Sequence, residues 1–227
     1  MQPALSDKFR AAAAGMLLAE LSYPGGVDVY PRRSRREPTT LSILRQSQQR
    51  PVPEYLTQLP QPLTAQLISL LPLLLRSHRL DWSRYLAPAA VAAIQLLEAA
   101  SESLLDGQLP LELLQPVAIP APAANPAALA LHSLLCIPES YRLAVKYAFE
   151  RSHSSAIAML TGWLAGAYGG LTSLPLERSS ELAALLETGP ILDQLWSLSD
   201  TLFMQWAGSP ETASPSTAAI TVLPLQR

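Results

Sequence analysis

Charge and cysteine are both scarce in this chain. Cys136 is the single cysteine of 227 residues, which excludes an internal disulfide and leaves nothing that asks for an oxidising compartment; a cytoplasmic setting is expected. It sits in the apolar run ALHSLLCIP, where a free cysteine ordinarily acts as a small packing residue, so burial rather than reactivity is expected of it. Charged residues make up 15% and apolar residues 49%. About a quarter charged is usual for soluble domains, so much of this chain must be buried in a core or pressed against a partner. The histidines, His78, His132 and His153, fall in separate segments, whereas a metal site needs three or four converging ligands. No metal and no cofactor is expected. Nor does any run alternate apolar and polar residues for long enough to suggest a sheet.

Proline, by contrast, is abundant at 21 residues, and it falls mostly between apolar runs of helical spacing, where a missing N–H is tolerated or a helix is ending. The first helix is predicted over about Asp7 to Ser22, stopped by YPGG. A Pro/Arg-rich loop follows over 23–61, with one short helix over TTLSILRQSQQ. A helix starting near Pro62 contains Pro72, which must kink or divide it. The next runs from Pro88 to about Asp106, with Gly107 as the residue just past its end. Asn125 and Pro126 form an N-cap and first-turn pair for a helix through Cys136, and Pro138 is expected to start another. Further helices are predicted from Ser154 to Gly169, over about Glu177 to Glu187, and from Pro190 to Ala207. The whole reads as an all-α domain over 1–207 and a flexible tail over 208–227.

The charge is unevenly placed. Residues 1–50 hold eight Lys/Arg against four Asp/Glu, and the remainder eight against fourteen. Much of the early positive charge comes from Arg32, Arg33, Arg35 and Arg36. That cluster suits an acidic protein face; no aromatic residues interleave with it and the rest of the chain is acidic, so nucleic acid is not expected as a partner. The tail segment AITVLPLQR is short and β-prone, and suits docking on a partner's sheet edge.

The stretch AIAMLTGWLAGAYGGLTSLPL carries no charge and contains Gly162 and Gly166 in a G-x-x-x-G arrangement, as membrane helices do. A helix from Ser154 that stops at Gly169-Gly170 is only about 23 Å long at 1.5 Å per residue, against about 30 Å of hydrocarbon. The small residues serve equally where a central helix is gripped by neighbours in a bundle. No membrane span is expected, and the N-terminus lacks the pattern of a cleaved signal peptide.

Two segments resemble one family. The run from Ala128 through SHSSAIAMLTGWLAGAYGGLTSLPLE is similar to the C-terminal part of the ADP-ribosylglycohydrolases, the group that includes the dinitrogenase reductase-activating glycohydrolase. There a G-G-D-T-D-T turn precedes an apolar A-x-x-G-x-L-x-G-A-x-x-G helix and an I-P pair; Ala158, Gly162, Leu164, Gly166, Ala167, Gly169 and Leu174-Pro175 fit. FRAAAAGMLLAELSYPGG resembles the family's opening helix through Phe9, Arg10 and Gly15. The resemblance implies a single orthogonal helical bundle of that type, shortened.

It also implies where chemistry would sit. The family holds two Mg or Mn ions on carboxylates, and such hard, closely spaced cations need anionic oxygen ligands. Here His153 and Ser155 stand at two of the aspartate positions and Ala19 at a third. Thr39-Thr40 is the remnant of the fourth motif, a T-D-D-T turn. The resemblance therefore implies a catalytically inactive member that works by binding another protein, through the basic loop, an apolar helix face or the tail. Two alternatives stay open. One is a metal-independent ADP-ribose or nucleotide-binding module using Ser152, His153, Ser154 and Ser155 at a helix N-terminus; the other is a residual hydrolase drawing on Glu20, Asp28 or Glu37.

Overall fold

The computed structural model describes residues 4–23, 38–60, 62–76, 80–114, 125–175 and 190–207. Among these the protein is all-α, with nine α-helices, three short 3₁₀ turns and no strand. In chain order the helices are α1 (Leu5–Ser22), α2 (Thr39–Gln49), α3 (Val52–Thr57), α4 (Leu63–Arg76), α5 (Pro88–Leu105), α6 (Pro126–Cys136), α7 (Tyr141–Ser152), α8 (Ser155–Gly169) and α9 (Pro190–Trp206). The helix expected over 177–187, the tail over 208–227, and Arg32, Arg33, Arg35 and Arg36 lie outside the described residues. So do Asp28, Glu37 and His78.

The helix ends follow local chemistry. The Asn125 side chain accepts from the Ala128 N–H at 3.1 Å, with Pro126 filling the first turn of α6. At the end of α5, Gly107 takes φ 78°, and its N–H donates to Leu104 O, the left-handed close that glycine makes without strain. Pro72 stands inside α4 without dividing it. The Tyr55 hydroxyl donates to Ser69 O at 2.6 Å, next to the Ile68 carbonyl that a proline at 72 deprives of its helical donor.

Two expectations are corrected. The region 23–61 holds more than the short helix expected there: α2 matches that helix over Thr39–Gln49, but α3 also lies within the region, and Leu41, Ile43, Leu44, Tyr55 and Leu56 are buried core residues. The helix after Cys136 does not begin at Pro138 but at Tyr141, with the Ser140 hydroxyl accepting from Leu143 N–H. Ser140 takes the N-cap because its side chain can satisfy an orphan donor, which a proline cannot do.

At the centre α1 and α8 run antiparallel, backbone against backbone. A Cβ placed on Gly15 would stand 2.2 Å from Gly162 O, and one on Gly166 would stand 2.0 Å from Ala11 O. The G-x-x-x-G pair thus serves as a close-approach face inside a bundle. Ala11, Ala12, Ala13 and Ala14 are all buried around α1, and in α8 every residue from Ser155 to Ala167 is buried, so α8 keeps no polar face. The other helices surround this pair: α6, α7, α5 and α4 lie against α8, and α9 and α2 against α1. Phe9 reaches into α9 between Phe203 and Trp206, with ring centroids 5.4 and 5.5 Å away. Among the described residues no helix is long and apolar enough to cross a membrane.

Polar ties fix the outer helices on this core. Lys8 is a buried cation whose Nζ donates to Leu104 O at 3.0 Å and Leu105 O at 2.6 Å, satisfying carbonyls at the negative end of α5. Burial lowers its pKa and nearby Asp106 partly offsets that. Arg10 meets Asp200 of α9 through two bonds of 2.7 and 2.8 Å, and the hydrogen bond to Asp200 raises its pKa further. The Tyr141 hydroxyl donates to Gly15 O at 2.6 Å, and burial holds that phenol well above the usual tyrosine range.

Candidate functional site

The SHSS segment is the α7–α8 turn, and its side chains diverge. Ser152 Oγ donates to Ala148 O at 2.7 Å and accepts from Ser154 N–H at 3.1 Å. His153 closes α7 in the left-handed region at φ 51°, its N–H donating to Phe149 O at 2.7 Å; histidine is among the non-glycine residues that tolerate this. Its imidazole is exposed. Ser154 is the N-cap of α8, but its side chain makes no capping bond. Ser155 points the other way: it is buried, and its hydroxyl has no hydrogen-bond partner. Ser155, Ala156 and Ile157 are all covered, so the first turn of α8 lies against protein rather than open to an anion.

Ala19 is fully buried beside Gly162, where a Cβ on that glycine would meet the Ala19 Cβ at 3.0 Å. Glu20 and Thr39-Thr40, distant in sequence, are brought together. The Glu20 carboxylate accepts from Thr39 N–H at 2.6 Å, Thr40 N–H at 2.9 Å and Thr40 Oγ1 at 2.7 Å. That is an N-terminal cap of α2 supplied from the end of α1, a charge-assisted arrangement favoured by the helix dipole. Both carboxylate oxygens are thereby engaged. Among the described residues no three His, Cys, Asp or Glu side chains converge as a metal site.

A second cluster lies on the surface where α6 meets α7. Cys136 is exposed, which corrects the expectation of a buried packing cysteine. It is the last residue of α6, four on from the half-buried His132, so the two share one face of the helix, whereas Leu131 and Leu134 are buried. Its Sγ lies 3.6 Å from both Nδ1 and Nε2 of His132. Equal distances put the sulfur in line with neither ring nitrogen's lone pair. The His132 ring stacks on Tyr147 at 6.3 Å, and Arg151 lies over Tyr147 at 5.9 Å. His132 thus has the neighbours that the sequence alone had not indicated; the i, i+4 spacing of 132 and 136 was the signal available for it.

An open groove of about 300 Å³ runs between α2 and α9, lined by Arg45, Asp193, Gln194, Ser197 and Leu198. Arg45 Nη2 donates to Gln194 Oε1 across it at 3.2 Å. No family model, no curated protein and no solved structure matches this chain.

Proposed function

We propose that this protein is a non-catalytic helical body, of the shortened ADP-ribosylglycohydrolase type, that acts by binding another protein in the cytoplasm. The observation that supports this most is the closed centre: α1 and α8 touch through Gly15, Gly162 and Gly166 with backbone atoms in the way of even a methyl group. A hydrolase of the kind the sequence resembles needs space and carboxylates around these helices, and a two-ion site needs several of the latter. Here Ala19 is packed away, His153 faces outward, Ser155 is buried, and Glu20 caps α2. The low charged fraction and the exposed Leu111, Leu143 and Met204 suit a surface that is covered in use.

Calorimetric titration of the full chain with ADP-ribose, with and without Mn²⁺, tests this against both alternatives. Absence of heat in both titrations is the expected result. Saturable binding without metal would instead support a nucleotide-binding module, and Mn²⁺-dependent binding with release of ADP-ribose from a modified arginine would support a hydrolase.

A further inference from the structure

Helix α9 fills a groove made by α1, α4 and α2. The residues it buries, Leu192, Leu195, Ser199 and Leu202, recur at three- and four-residue steps, the anchor spacing of a helix laid in a groove. Phe9 of α1 fits between Phe203 and Trp206. Polar ties run along the rim: Arg10 to Asp200 at 2.7 Å, Gln48 Nε2 to Leu198 O at 2.6 Å and Arg45 to Gln194 at 3.2 Å. Charge divides across this seam. α9 carries Asp193 and Asp200 and no Lys or Arg, whereas the groove side presents Arg10 and Arg45.

We propose that α9 is a displaceable strap over this groove, and that the partner protein docks by laying an acidic amphipathic helix of the same pattern in its place. This rests on the protein-binding reading above. The centre does not depend on α9: Gly15, Gly162 and Gly166 join α1 to α8, and α4, α5, α6 and α7 lie against α8. α9 can therefore leave in a local opening while the body stays folded. The rim holds it lightly, because the Arg10 and Asp200 side chains are 37% and 43% exposed and so exposed an ion pair is weak and screened by salt. The groove also specifies its occupant. Leucines on one face fill it, an aromatic pair clasps Phe9, and a carboxylate three residues before the first aromatic meets Arg10.

The test adds a fluorescein-labelled peptide of the sequence 190–206 to the full chain and follows its anisotropy, with the mass read by light scattering. The resident helix competes, so the parent chain should bind the peptide weakly. Leu195→Ala in the chain loosens the resident helix without altering the groove and should tighten peptide binding at least tenfold, as a buried leucine is lost from the competitor alone. Asp200→Asn in the chain, a half-exposed change that spares the fold, should tighten it by about two- to fivefold. Arg10→Gln removes the same ion pair from the groove side, weakens resident and incoming helix alike, and should bring no gain. A Leu195→Ala chain that keeps its helicity by circular dichroism but binds no better than the parent would overturn the proposal. So would equal tightening by Asp200→Asn and Arg10→Gln, or a doubling of mass without peptide, which would mean that α9 exchanges between two copies of this chain instead. The ADP-ribose titration decides the protein-binding reading separately, since the peptide titration reads only the exchange of helices in the groove.

Discussion

Substituting Gly166 by alanine puts the central packing to the sharpest test. The new Cβ would stand 2.0 Å from Ala11 O, 2.5 Å from Ala11 C and 2.8 Å from Ala12 N. A relaxed carbon–oxygen contact is above 3 Å, so α1 and α8 must part by about 1 Å, in a core whose density leaves no slack. The obstacle is helix backbone, which cannot rotate aside as a side chain can. Overpacking of this kind costs typically 1–3 kcal/mol and occasionally more, and the better helix propensity of alanine returns about 1 kcal/mol. Because separation also disturbs the Gly15·Gly162 contact, a net loss of about 2–4 kcal/mol is expected. For a chain of this size that corresponds to a fall in Tm of roughly 5–15 °C, readable by circular dichroism and by urea unfolding. Gly169→Ala is the comparison: its Cβ would meet the side chain of Ser173, on an exposed turn, and should cost less. A Gly166→Ala protein within about 0.5 kcal/mol of the parent, the range of an ordinary surface change, would refute the tight-contact reasoning.

Three further outcomes follow from the polar ties. Lys8→Met keeps the length of the side chain but takes the charged donor away from Leu105 O and leaves Leu104 O with backbone N–H donors alone; a loss of about 2–3 kcal/mol in urea unfolding is expected. Glu20→Ala removes the cap of α2, with its three donors, and should cost about 1–2 kcal/mol, accompanied by faster amide exchange at Thr39 and Thr40. Tyr141 is held above the usual tyrosine pKa by burial, so above about pH 10 the unfolded chain gives up this proton while the folded one keeps it. Stability should then fall as pH rises. Tyr141→Phe should cost about 0.5–1.5 kcal/mol at pH 7 through the bond to Gly15 O, yet show a shallower alkaline loss in unfolding measured from pH 9 to 11. An unchanged alkaline slope would show that the phenol titrates as freely in the folded state.

Much of the fold was legible because its signals are local. Gly107, Asn125-Pro126 and the Gly169-Gly170 stop mark helix ends through backbone conformation and capping, which neighbouring residues decide. The 15 residues of α8 could likewise be measured against a bilayer from the sequence. What escaped depends on tertiary context. Helix α3 lies in a segment whose Pro and Gln content resembles a linker, and Leu41 and Leu44 of the expected helix α2, with Leu56 of α3, become core only because the rest of the bundle offers them a surface. Cys136 was misplaced because an apolar run says nothing about which face of a helix is covered, and its position at the end of α6 puts it outside. Glu20 and Thr39-Thr40 could be named from sequence but not joined, since 19 residues separate the carboxylate from the first N–H it accepts.

The central claim, that this body works by holding another protein, is tested most directly by capturing the full chain from extract of its native host and measuring the mass and composition of the complex. The account predicts one partner in fixed ratio to this chain, retained through gel filtration. A chain that emerges with no partner at any salt concentration would contradict it.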